Sequence, residues 1–210
     1  MIKAALFDVD GTLLDTTEFI YQAFEYTFKM FGLPSIPRAK IRGFIGKPLI
    51  DCYKALAPFE DILKLMEEHR LFQLKNLHLS VPFKNTEKTL MNLKTNKVKL
   101  VAITTRSKHT SILTLKQAGI LELFNLVISG EDVKQPKPNP EGINKALDII
   151  KVKPSSAVMI GDTAVDVQAG KNAGIKTIGV THGFHGRKVK ESKPDYCIDD
   201  IQDILPIILE

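Results

Sequence analysis

From Val98 to Val180 the chain alternates between short apolar runs and amphipathic stretches, and that alternation leaves few folds open. Val98–Ile103, Leu126–Ile128, Ala157–Ile160 and Thr177–Val180 are brief, rich in Val and Ile, and bounded by polar residues, as buried strands are. Between them Lys108–Ala118, Pro140–Ile150 and Thr163–Asn172 have helical character. Gly119 closes the first, Pro140 opens the second, and Ala173-Gly174 offers the third a C-cap. Strand alternating with helix predicts an α/β fold, a Rossmann-like doubly wound parallel sheet with helices on both faces. Tyr196–Ile198 is expected as an edge strand and Ile201–Leu209 as a short terminal helix.

One further strand, Ile2–Phe7, stands far from this series. Between them Glu18–Phe31, Ile50–Leu56 and Glu60–Leu77 read as helices without strands. A helical block inserted after the first strand is expected to form a small cap domain, residues 16–80. The core domain is then 1–15 with 81–210, and the linkers lie near Thr16 and near Leu79-Ser80-Val81-Pro82. Phe19, Phe24, Phe28 and Phe31 fall at near-helical spacing and are expected as core between cap and body.

The first strand runs into Asp8-Val9-Asp10-Gly11-Thr12-Leu13. Gly11 breaks the strand, so both carboxylates sit where it ends, the edge at which open parallel sheets bind ligands. Two carboxylates so close, with no local Lys or Arg, repel each other. A divalent cation relieves that repulsion, and oxygen donors suit Mg²⁺. An acidic turn is the structural alternative. The same arrangement recurs at Val158-Met159-Ile160-Gly161-Asp162-Thr163-Ala164-Val165-Asp166. Asp162 and Asp166 lie at i and i+4 and can face one point, although Asp162 could instead cap the helix. Two strand-end aspartate clusters in one α/β chain favour a shared metal site.

The run Thr104-Thr105-Arg106-Ser107 follows the strand that starts at Val98. Hydroxyls and backbone N–H groups at such a turn suit a phosphate, while Ser107 is expected to cap the next helix. In Lys134-Gln135-Pro136-Lys137-Pro138-Asn139-Pro140 the prolines restrict the backbone around Lys137 and fix the direction of its ammonium. Four acidic groups and an anionic substrate need such a cation.

Composition narrows the functional classes. The chain has 210 residues, 44% of them hydrophobic and 25% charged, ordinary values for one globular enzyme. No apolar run approaches the roughly 18 residues that span a bilayer, and the N-terminus lacks a signal-peptide pattern. The net charge of +5 comes from lysines scattered through helical stretches, which argues against nucleic acid and for drawing in a small anion. Cys52 and Cys197 match no metal spacing and are expected as two buried free thiols in a reducing cytoplasm. His109, His182 and His185 are expected as surface or capping residues.

Taken in order, DxDGT at Asp8–Thr12, the strand-end Thr104, Lys137 in a KPxP setting and GDTxxD at Gly161–Asp166 resemble the haloacid dehalogenase superfamily, closest to its phosphoglycolate phosphatase-like members. The resemblance spans the chain and places the helical insert where that family has its small cap. It implies that Asp8 is the nucleophile and that Asp10 protonates the leaving oxygen and later activates water, with a raised proton affinity at Asp10. It implies Mg²⁺ on Asp8, the Asp10 backbone carbonyl and Asp162, with Asp166 behind them or bridging through water. Thr104 and Lys137 would hold the phosphoryl oxygens. Thr105 stands where relatives usually have Asn, so phosphate contact there falls to the backbone, and Asp15-Thr16 replaces a common Asp-Ser.

In the cap, Ile41-Arg42-Gly43-Phe44-Ile45-Gly46-Lys47-Pro48 offers Arg42 and Lys47 to an anionic leaving group, or is a helix-joining loop with solvated charges. The function expected from the resemblance is a Mg²⁺-dependent phosphatase acting on a small phosphomonoester, phosphoglycolate-like, through an aspartyl-phosphate. An inorganic pyrophosphatase, a β-phosphoglucomutase-like phosphomutase and an inactive binding module are the alternatives. No feature of the sequence specifies an oligomeric state.

Overall fold

A computed structural model describes residues 1–210. The chain begins with β1 (Ala4–Phe7) and a two-residue β2 (Leu14–Asp15). Four helices follow: α1 (Thr17–Met30), α2 (Arg38–Arg42), α3 (Leu49–Leu56) and α4 (Ile62–Lys75). After them come β3 (Val81–Pro82), α5 (Thr86–Thr95), β4 (Lys99–Ile103), α6 (Lys108–Gln117), β5 (Leu126–Ile128) and α7 (Glu141–Ile150). The chain closes with β6 (Ala157–Gly161), α8 (Ala164–Asn172), β7 (Lys176–Val180), β8 (Tyr196–Ile198) and α9 (Ile204–Leu209).

Six strands form one sheet in the order β5-β4-β1-β6-β7-β8, every neighbouring pair parallel. β1 lies between β4 and β6, and all four of its residues are buried. A central parallel strand is covered on both faces, which is why Ala4-Ala5-Leu6-Phe7 is continuously apolar. Ala5, Phe7 and Leu100 join the apolar layer that receives α5 and α9; Ala4, Leu6 and Val101 join the layer that receives α7. The sheet is therefore an α/β, doubly wound, Rossmann-like one. The order reverses at β1, so the switch point lies where β1, β4 and β6 end, at Asp8, Thr104 and Asp162.

Helices α1, α3 and α4 enclose a separate apolar cluster that includes Phe24, Phe28, Tyr53 and Leu65. Phe19 is buried as well, but Phe31 is exposed at the end of α1, against the expectation of four core rings. β2 and β3 pair antiparallel, Leu14 opposite Pro82 and Asp15 opposite Val81. The two linkers that bracket the helical lobe are thus bonded to each other. One thiol expectation fails: Cys52 is buried, but Cys197 is exposed on the edge strand β8, where only one neighbour covers it.

Candidate active site

Asp8 continues the ladder beyond β1, its N–H donating to the Ile160 carbonyl at 2.9 Å. Gly11 then turns the chain with φ +78°. A Cβ there would press on the Phe184 ring and lie 2.6 Å from Asp162 Oδ2, so this turn admits only glycine. The two aspartates of the motif meet different cations. Lys137 Nζ donates to Asp8 Oδ1 at 2.6 Å, and Arg106 Nε donates to Asp10 Oδ2 at 2.7 Å while a second guanidinium N–H engages Asp10 Oδ1.

At the end of β6 the helix cap is Thr163, not Asp162. Thr163 Oγ1 accepts from the Asp166 N–H at 3.3 Å, and its own N–H donates to Asp166 Oδ2 at 3.1 Å, a capping box. Asp166 Oδ1 accepts from Lys137 Nζ at 2.5 Å. Asp162, wholly buried, accepts from the Phe184 N–H at 2.8 Å and from the Thr12 hydroxyl at 3.3 Å. Carboxylate oxygens of Asp8, Asp162 and Asp166 all lie within 4.8 Å of one another. The Asp10 side chain stands outside this triad.

Burial pushes the Asp8 carboxyl up to about 7; Lys137 opposes this, and Asp166 and Asp10 reinforce it. Asp162 is held well above the ordinary range, by burial first and then by Asp166 and Asp8. Burial works against the charge of Lys137 too, but Asp166 and Asp8 beside it raise its proton affinity. A cation held among these oxygens would oppose their repulsion and favour the ionised form of both raised carboxyls. An all-oxygen donor set of this kind fits a hard divalent metal.

Lys137 also donates to the Ile103 carbonyl at 3.1 Å, which ties it to the end of β4. In the turn after β4, the buried Thr104 hydroxyl accepts from the Arg106 N–H at 3.2 Å, whereas Thr105 lines the cavity described below. Ser107 caps α6, its hydroxyl accepting from the Thr110 N–H at 3.4 Å. Arg106 is the residue to which sequence reasoning gave no role. Its guanidinium lies 4.5 Å from the centroid of the Phe19 ring, and Nη1 donates to the Thr114 hydroxyl at 3.1 Å. One cation in a hydroxyl-rich turn, at the same sheet edge as the acids, was the available signal.

A cavity of about 340 Å³ opens between the sheet edge and the helical lobe. Asp8, Asp10, Asp166 and Thr105 line it from the sheet; Phe24, Phe44, Lys47, His69 and Arg70 line it from the lobe. Lys47 lies over the Phe44 ring at 4.9 Å from its centroid. Arg42 does not line the cavity: its Nε donates to the Phe184 carbonyl at 2.8 Å, and a second N–H reaches the same oxygen. His69 is buried against Phe24, with Nδ1 2.8 Å from the Tyr53 hydroxyl; burial, then Arg106 and Arg70, push its proton affinity down to about 3. His182 braces the Thr12 carbonyl at 3.0 Å.

An acidic triad with a buried lysine thus stands at the switch point of a parallel sheet, beneath a helical lobe that brings Lys47 and Arg70 to the cavity. The profile of the haloacid dehalogenase-like hydrolase family matches residues 5–180, and the chain belongs to that family. It is 33% identical over 210 residues to the pyrophosphatase PpaX of Halalkalibacterium halodurans, covering 99% of this chain and 97% of that protein. With PpaX of Bacillus velezensis it shares 35% over 208 residues, 98% and 96% of the two chains. Among solved structures, a predicted phosphoglycolate phosphatase from Haemophilus somnus superposes with TM-score 0.90 at 25% identity, covering 98% of this chain and 97% of that one. A haloacid dehalogenase-like family hydrolase from Streptococcus pneumoniae gives TM-score 0.86 at 28% identity, with 98% of each chain covered.

Proposed function

We propose that the protein is a Mg²⁺-dependent phosphohydrolase that transfers a phosphoryl group to Asp8 and then to water, with pyrophosphate as its first-choice substrate. Residues 16–80 serve as a cap over a core of 1–15 and 81–210. An Asp8 oxygen attacks phosphorus as the bond to the leaving oxygen breaks, and water then hydrolyses the aspartyl-phosphate with Asp10 as its base. Lys137, with the Thr104–Thr105 turn, holds the phosphoryl oxygens where charge spreads in the transition state. Asp8, the Asp10 carbonyl and Asp162 would hold Mg²⁺, with Asp166 behind them, and the ion would supply neutralisation of phosphate charge. The two free thiols support a reducing, cytoplasmic setting.

The observation that carries the choice of substrate is the set of cations that lines the cavity beyond the triad. Lys47, Arg70 and Lys134 complement a leaving group that departs as a charged phosphate, and the full-length likeness to pyrophosphatases agrees. A phosphomonoester with a short carbon leaving group, such as phosphoglycolate, is the second reading, favoured by the apolar wall of Phe24, Phe44, Ile45 and Met66. Phosphate release from pyrophosphate, phosphoglycolate, sugar phosphates and nucleotides, with Mg²⁺ or EDTA and with Asp8→Asn as control, tests both readings. The first expects the highest kcat/KM on pyrophosphate, dependent on Mg²⁺ and lost in Asp8→Asn. A phosphoglycolate kcat/KM well above that for pyrophosphate would replace the first reading with the second.

A further inference from the structure

We propose that Phe184 couples the seating of the helical lobe to the carboxylate triad, with Arg42 as the positioning residue that engages it; this rests on the reading of Asp162 as a metal ligand. Phe184 follows β7 in the chain, yet it packs in the apolar cluster of the lobe with Ile41, Ile45 and Tyr53. Its backbone reaches in two directions. The N–H donates to Asp162 Oδ2 at 2.8 Å, and the carbonyl accepts from Arg42 Nε at 2.8 Å and from a second N–H of that guanidinium.

Each of these links constrains the next. Asp162 has no exposure, and its other hydrogen bond, from the Thr12 hydroxyl, is long at 3.3 Å, so the Phe184 N–H is the stronger hold on its orientation. The ring is fixed from the sheet side as well, because it fills the space where a Cβ on Gly11 would stand. Arg42 commits its fork to one carbonyl and leaves the cavity to other cations. When the lobe lifts, Arg42 and the apolar cluster release Phe184, and the Asp162 carboxylate loses its outer anchor. Outer partners of this kind tune metal affinity by about 10–100-fold. By linkage, metal on Asp162 must in turn hold the lobe down.

The test is calorimetric Mg²⁺ binding to the substrate-free protein and its Arg42→Met and Arg42→Lys variants, together with steady-state kinetics. Arg42→Met is expected to bind Mg²⁺ about 10-fold more weakly, with Arg42→Lys between it and wild type, since a lysine cannot fork. A reciprocal measurement needs no variant: Mg²⁺ is expected to slow amide hydrogen exchange across Arg38–Arg42 in wild type. Unchanged Mg²⁺ affinity in folded Arg42→Met, with KM alone raised, would overturn the proposal and make Arg42 a substrate ligand. Wild type that binds Mg²⁺ without any change in exchange would overturn the coupling alone. Wild type that binds no Mg²⁺ would remove the metal reading and the coupling with it.

Discussion

Lys137 and Asp8 stand 129 positions apart in sequence and 2.6 Å apart in space. The same ammonium reaches Asp166, so one buried cation joins the end of β1 to the first turn of α8. It is the one positive charge in contact with the triad, in which burial and repulsion push the Asp8 and Asp162 carboxyls toward neutrality.

Removing that charge leaves two buried carboxylates without their cation. Lys137→Met is expected to destabilise the protein by about 3–5 kcal/mol, the cost of breaking a buried ion pair from one side. Urea unfolding measures it, and added Mg²⁺ should recover part of the loss. A stability equal to wild type would mean that the ammonium offsets little of the repulsion.

Metal binding to the folded state alone raises stability by mass action, about 2.7 kcal/mol at a hundred times Kd. For a chain of this size that corresponds to a rise in Tm of about 5–10 °C. Thermal scans with Mg²⁺ and with EDTA should show it in wild type and not in Asp162→Asn. A rise of equal size in that variant would place the ion elsewhere.

Arg106 holds both oxygens of Asp10. If Asp10 is the base for the water step, Arg106→Met should lower kcat by about 100-fold, the lower end of what a positioned acid or base contributes. Arg106→Lys keeps the charge without the fork and should fall between. Single-turnover kinetics locate the loss, which belongs in hydrolysis of the phosphoenzyme.

His69 is buried in the lobe with its proton affinity lowered from 6.5 to about 3. The unfolded chain binds the proton more readily, so the stability this histidine contributes is fully present above pH 6.5 and is lost as pH falls from there toward 3. Between pH 6.5 and 5 the loss is about 2 kcal/mol. Unfolding free energies at pH 7 and pH 5 should differ less in His69→Gln than in wild type. Equal differences would mean that other groups set the acid sensitivity.

Most of the sheet was legible in the sequence because a buried parallel strand is uniformly apolar and the residues that end it are not. Leu126–Ile128 and Tyr196–Ile198 fall where the pattern puts them. Helix α5 was missed because Thr86 and Thr89 occupy its buried stripe beside Leu90 and Leu93, and threonine disguises an apolar period. Helix α2 buries only Ile41, too little for a pattern. The β2–β3 ladder depends on where two distant linkers meet, which composition does not encode. At the site, the residue types and their strand-end placement were readable. Their partners were not: Asp10 was read without a nearby Arg, and its guanidinium comes from 96 positions away.

The pairing of Leu14-Asp15 with Val81-Pro82 has a consequence for ancestry. The chain enters the helical lobe through β2 and leaves it through β3, neighbouring strands about 5 Å apart. A loop of any length or architecture can hang from such a pair of stumps without disturbing the registry of the strands behind them. Chemistry and selectivity are then separate heirlooms. A descendant can inherit the acidic edge intact while trading the whole roof for another, and a change of diet need not pass through a broken enzyme.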